Sequence, residues 1–298
     1  MSLPARSGPF RSLVVSLRPQ QWVKNLFVLA GVVFARQLFT PLFWPALAAF
    51  ALFCLLSGGI YLLNDVADYE KDRLHFRKRF RPVASGALGR GTALGAGVGL
   101  LLGGLALSFW FSPPFGIVAF SYVLLLTLYS AGLKHLVILD VLTVAIGFVL
   151  RAVAGAVVID AEISGWLLIC TVLIALFLAL GKRRHELLSL DGSAAGHRPI
   201  LAEYSPQLLD QMIAVVTAST VTAYALYTMS PETVGKFGTR LLPLTLPFVL
   251  YGIFRYLYLL YRRELGGNPS ELFLSDRALL VNSALWAAAV VCIIYGAS

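Results

Sequence analysis

Between Asn64 and Asp72 the chain reads Asn64-Asp65-Val66-Ala67-Asp68-Tyr69-Glu70-Lys71-Asp72. On an α-helix, positions i, i+3 and i+7 share one face, so Asp65, Asp68 and Asp72 are expected to meet as neighbours. The stretch before them, Phe43 to Leu63, carries no charge and is long enough to cross a bilayer. Three like charges at a membrane boundary repel one another and are poorly solvated. Something positive must neutralise them, most simply a hard divalent cation with oxygen ligands. A cation held there would in turn suit a diphosphate. The basic run that follows, Arg73, Arg77, Lys78, Arg79 and Arg81, would cover the phosphate oxygens left free by the metal.

The elements that position these residues follow from composition. The chain is 58% hydrophobic and 13% charged, with a mean hydropathy of +0.80. Soluble domains carry about a quarter charged residues, and the apolar runs here are too long for strands. The expected fold is all-α: a polytopic membrane bundle. Spans are expected at about 24–42, 44–64, 90–111, 115–133, 139–159, 164–182, 210–229, 242–261 and 277–296, nine in all. Residues 1–23 form an amino-terminal arm and 24–298 a single transmembrane domain.

Lys and Arg crowd into the arm and every second connection, whereas the opposite connections hold only Arg36, Lys236 and Arg240. The positive-inside rule places the arm and the basic loops in the cytoplasm. The net charge of +9 thus reflects a membrane surface and phosphorylated ligands, with no hint of nucleic acid. Residues 1–20 are mixed and basic, unlike a cleaved signal. Cys54, Cys170 and Cys292 read as buried small hydrophobes. Gly91, Gly95, Gly99 and Gly103 form a smooth stripe on the third span, expected to receive another helix.

The first signature, Asn64-Asp65-x-x-Asp68-x-x-x-Asp72 with Lys78-Arg79-x-Arg81-Pro82-x-Ala84-Ser85-Gly86, resembles that of the UbiA superfamily of intramembrane transferases. Tyr129-Ser130-x-x-Leu133-Lys134 and Leu139-Asp140-Val141 resemble its fourth-to-fifth span connection. Members that prenylate aromatic acceptors usually carry a second acidic motif after the sixth span. Here that place reads Gly181-Lys182-Arg183-Arg184-His185-Glu186-Leu187, which suits a donor with more phosphate charge. This pattern resembles the decaprenyl-phosphate phosphoribosyltransferase branch. So do Arg18-Pro19-x-Gln21-Trp22-x-Lys24-Asn25, Gly147-Phe148-x-Leu150-Arg151-Ala152-x-Ala154-Gly155 and Pro269-x-Glu271-x-x-x-x-Asp276-Arg277.

The resemblance, together with the charge pattern, makes Asp65, Asp68 and Asp72 the expected catalytic residues. Asn64, Asp65 and Asp68 are the expected Mg²⁺ ligands, and Asp72 binds metal or a ribose hydroxyl. Tyr61 and Asn64 stand on the same helix as expected substrate contacts. Lys24, Arg77, Lys78 and Arg81 are expected on donor phosphates. Lys134, flanked by Tyr129 and Asp140, is expected to point into the cavity. Lys182 and Arg183 are further phosphate contacts, with Glu186 fixing the arginine or a sugar hydroxyl. Arg151 lies roughly 16 Å along its helix from Asp140 and needs a partner or a wet cavity at that depth. It either lines the cavity near the acceptor phosphate or bonds backbone carbonyls.

The chemistry implied is Mg²⁺-assisted transfer of 5-phosphoribose from 5-phosphoribosyl 1-diphosphate to a polyprenyl phosphate, with inversion at the anomeric carbon. The lipid phosphate is already an anion, so none of the four histidines is needed as a base. The resemblance further implies a bundle of nine spans around a central cavity open to the cytoplasm, a bacterial inner (plasma) membrane, a cytoplasmic active site and a role in cell-envelope polysaccharide precursors. A homo-oligomer is compatible with this reading. The nearest rival is an aromatic prenyltransferase of the same fold. An anion transporter would need a paired internal repeat, and none is evident.

Overall fold

The structure is a computed structural model and describes residues 8–75, 78–189, 199–263 and 266–296. Among these residues there are helices and connections but no strand. The chain opens with α1 (Pro9–Ser16), an 11-residue 3-10 helix (Pro19–Leu29) and α2 (Ala30–Phe34). Next come α3 (Phe43–Ala67), α4 (Tyr69–Leu74), α5 (Arg90–Phe111), α6 (Pro113–Ala131) and α7 (Leu139–Val157). The second half holds α8 (Gly165–Leu188), α9 (Pro206–Met229), α10 (Pro231–Phe237), α11 (Leu246–Arg262), α12 (Pro269–Ser275) and α13 (Arg277–Gly296).

Eight helices among the described residues are long and apolar enough to cross a membrane: α3, α5, α6, α7, α8, α9, α11 with its preceding turn, and α13. The chain is a multi-pass membrane protein. Local chemistry sets the ends of these helices. Ser205 caps α9 by accepting the Leu208 N–H at 3.1 Å, and Pro206 takes the first helical position. Ser112-Pro113 starts α6 in the same order, and Gly132 ends it.

The expected first span, 24–42, takes a different form. Its polar start is wound as a 3-10 helix, and the α-helical part ends at Phe34. A 3-10 helix rises about 2.0 Å per residue, so the 11 residues reach ~22 Å, and α2 adds ~7 Å. The segment starts where Arg18 meets Asp65 and reaches the opposite end of the bundle, where the Leu38 N–H donates to the Tyr295 hydroxyl at 2.9 Å. Close packing holds this tighter winding in place. A Cβ on Gly155 of α7 would stand 1.7 Å from the Val28 carbonyl oxygen, and one on Gly31 would stand 2.7 Å from the backbone of α7.

Among the described residues, no helix packs on the glycine stripe of α5. A Cβ on Gly91, Gly95, Gly99 or Gly103 would meet nothing within 4 Å. Contact with α3 uses another face, where Gly97 and Gly104 press on Leu62, Leu63 and Leu56. Cys54 is buried as expected, but Cys292 is exposed.

Two apolar clusters flank the centre. One joins Phe53, Phe115 and Tyr122 with Val28; the other joins Phe177, Leu209 and Tyr256. A cavity of about 880 Å³ is lined by residues of both halves of the bundle.

Candidate active site

The polar end of the site is assembled where α3 stops. The helix ends at Ala67, Asp68 takes φ −89° and ψ 8°, and α4 begins at Tyr69. The three aspartates therefore do not share one unbroken helix. Asp65 and Asp72 are both 2% exposed, and Asp68 is half-buried. Arg81 lies between the two buried carboxylates. Its Nη1 donates to Asp72 Oδ2 at 2.6 Å and to Asp65 Oδ1 at 3.1 Å. Arg18 also pairs with Asp65 and lays its guanidinium 4.8 Å from the Tyr61 ring centroid. Lys78 lies 3.9 Å from Asp72. Burial and the neighbouring Arg81 push its ammonium below the usual lysine range.

Among the described residues, no group of three or more acidic, His or Cys side chains converges closely enough to hold an ion. The expected three-aspartate metal cluster is thus not assembled. The helix break turns Asp68 away from strict register, while Arg18 and Arg81 draw on Asp65 and Asp72. The donor set nonetheless fits a hard cation. A positively charged nitrogen already bridges two buried carboxylates, the position a divalent cation would take between them.

A second polar cluster ties α7 to α8. Arg183 donates from Nε to Asp140 Oδ2 at 2.6 Å, from Nη1 to Glu186 Oε2 at 2.6 Å, and from Nη2 to the Tyr129 hydroxyl at 3.1 Å. Tyr204 donates to Asp140 Oδ1 at 2.8 Å and accepts the Ile138 N–H at 2.8 Å. That second bond holds Ile138 at φ 68°, a conformation a β-branched residue rarely adopts. Burial, reinforced by Asp140, pushes the Tyr204 phenol up to about 12. Arg183 and Asp140 are 4% and 0% exposed. Both serve as an internal brace, and the phosphate contact expected of Arg183 competes with three existing partners.

Deeper in the bundle, Arg151 is 5% exposed and has neutral partners. Its Nε donates to Asn25 Oδ1 at 2.8 Å, Nη1 to the Gly147 carbonyl at 2.9 Å, and Nη2 to the Tyr122 hydroxyl at 2.6 Å. It also lines the cavity, so it bonds a backbone carbonyl and faces the chamber at once.

Lys24, Tyr61, Asn64, Tyr129, Lys182 and Arg183 line the same cavity. Lys134, expected there, lies half-buried on a 3-10 turn (Leu133–His135) outside the lining. Arg77 lies outside the described residues. Sequence reasoning assigned no role to Arg18, Asn25, Tyr122 or Tyr204. Arg18 and Asn25 stand in the Arg18-Pro19-x-Gln21-Trp22-x-Lys24-Asn25 motif, which was their signal; the two tyrosines had none.

Known proteins share this architecture. The chain is 31% identical to the decaprenyl-phosphate phosphoribosyltransferase of Mycolicibacterium smegmatis over 97% of its length and 95% of the relative's. The protein of that name from Corynebacterium glutamicum is 34% identical, with 95% and 86% covered. A UbiA homologue from Archaeoglobus fulgidus, solved bound to GPP and Mg²⁺, superposes with a TM-score of 0.72 at 18% identity, covering 95% of this chain and 99% of that one. This last likeness is one of fold. The UbiA prenyltransferase family model matches residues 25–277, from the buried Asn25 to the first residue of α13, and the chain belongs to that family.

Proposed function

We propose that the protein transfers 5-phosphoribose from 5-phosphoribosyl 1-diphosphate to a polyprenyl phosphate and releases diphosphate. The observation that carries this reading is the near full-length similarity to enzymes named for that reaction. The cavity supports it, because an apolar chamber whose wall carries Lys24, Arg151 and Lys182 suits a lipid phosphate.

Asp65, Asp68 and Asp72, with Asn64, would hold a divalent cation, most simply Mg²⁺. Bound there, the cation would neutralise charge on the departing diphosphate. Arg81 and Lys78 are placed to share that task, since both already reach Asp72. Arg18 packs on Tyr61 and orients Asp65 through their ion pair. The Arg183–Asp140–Glu186 brace holds α7 to α8 and so fixes the side of the cavity that carries Lys182. The acceptor phosphate carries its own negative charge and attacks the anomeric carbon from the face opposite the leaving group. Its apolar tail occupies the cavity, so the two reactants enter from different phases and meet in one orientation. The site would face the cytoplasm of a bacterium, and the product would feed envelope polysaccharide synthesis.

The test is a donor swap. Purified protein with Mg²⁺ and polyprenyl phosphate should form a phosphoribosyl lipid from 5-phosphoribosyl 1-diphosphate. A product formed instead from a prenyl diphosphate and an aromatic acid would replace this reading.

A further inference from the structure

The cavity wall carries cations that the carboxylates of residues 65–72 do not pair with. Lys24 projects from the 3-10 helix, half-buried and lining the cavity. Among the described residues, the charged groups that act on it are Lys182, Arg151 and Arg18, all cationic. Arg18 is committed to Asp65, and Lys182 stands 3.5 Å from Glu186. Among the described residues, Lys24 and Arg151 have no such acid. Arg151 uses one N–H each from Nε, Nη1 and Nη2 on Asn25, Gly147 and Tyr122. A guanidinium has five N–H donors, so two remain on a side chain that lines the cavity.

Two cations in a low-dielectric wall with no counter-charge are expensive unless an anion completes them. The space in front of them is apolar, with Phe27 and Phe148 beside Lys24 and Arg151 in the lining. An anion reaching this point must therefore bring an apolar tail or lie at the end of a longer polar ligand.

We infer that Lys24 and Arg151, with Lys182 at the rim, form a phosphomonoester subsite that receives the acceptor lipid's phosphate and works without metal. This rests on the reading above and moves Lys24 from the donor, where its sequence motif suggested it, to the acceptor. The other source of the same chemistry is the donor's 5-phosphate. The subsite's opening towards the apolar chamber favours the lipid.

The experiment is direct binding of farnesyl phosphate to the detergent-purified full chain in excess chelator, followed by calorimetry. Wild type should bind. Lys24→Gln should weaken binding by about tenfold or more, the size of one lost charged hydrogen bond. Lys24→Arg should recover most of it. Affinity for 5-phosphoribosyl 1-diphosphate with Mg²⁺ should stay within about threefold of wild type in the same variants. Lys24 lines open space, so Lys24→Gln tests the site without disturbing the core; Arg151→Gln then extends it to the buried partner. Effective displacement of farnesyl phosphate by ribose 5-phosphate would overturn the assignment in favour of the donor. Unchanged lipid binding in Lys24→Gln would overturn it outright, and transfer by wild type in that case would leave the proposed reaction standing. Lys24-dependent lipid binding without any phosphoribosyl transfer would keep the subsite and sink the reaction.

Discussion

Arg183 and Asp140, 43 residues apart, meet at 2.6 Å with almost no exposure to solvent. Removing one partner of such a pair leaves a buried charge, typically at a cost of about 3–5 kcal/mol. Asp140→Ala should therefore lower the thermal midpoint sharply. Arg183→Leu combined with Asp140→Leu should recover part of that loss, as thermal unfolding in detergent will show. A double variant whose loss equals the sum of the two single losses would mean that the pair is not coupled.

Gly155→Ala tests the contact between α7 and the 3-10 helix. A Cβ there meets the Val28 carbonyl at 1.7 Å, closer than any side chain can yield to. The loss should exceed the ~1–3 kcal/mol of ordinary overpacking. Folded yield by size exclusion should fall well below that of Gly95→Ala, where the added methyl meets nothing within 4 Å.

Asp68→Asn separates metal binding from folding better than Asp65→Asn. Asp68 is half-buried and, among the described residues, has no ion pair, whereas Asp65 compensates two arginines. Asp68→Asn should lose transfer activity by about 100-fold or more, in the range of a lost electrostatic stabiliser, with an unchanged melting curve. Asp65→Asn should lose both activity and stability. Wild-type turnover should disappear in excess chelator and return with Mg²⁺.

Arg81→Gln leaves Asp65 and Asp72 without the nitrogen that bridges them. The variant should melt earlier than wild type. Added Mg²⁺ should raise its midpoint by more than it raises that of wild type, because a ligand that binds only the folded state stabilises it. Equal shifts in both proteins would count against these two carboxylates as ligands.

Much of this fold could be read from the chain alone. The uncharged run ending at Leu63 is α3, and 90–111 coincides with α5, because span length and apolar content are local properties. The first span was legible in place but not in form. Its 3-10 winding comes from backbone contact with Gly155, more than a hundred residues away. The site was legible as residue types and illegible as pairings. Arg18 with Asp65, Asn25 with Arg151 and Tyr204 with Asp140 span 47, 126 and 64 residues. Local charge counting placed cations near acids but could not say which arginine was already occupied. The α5 stripe misled because small residues mark a smooth surface without indicating which side of the helix its neighbours occupy.

Three residues per turn stack side chains in straight columns. Along Pro19–Leu29, one column presents Lys24 and Phe27 to the cavity, and the next presents Asn25 and Val28 to α7. Inserting a single residue upstream of Lys24 would swing each column by about a third of a turn. The lysine would then point into packed backbone and the asparagine into open space. Evolutionary drift along this stretch is thus confined to substitutions, and its length should stay fixed while the loops around it vary.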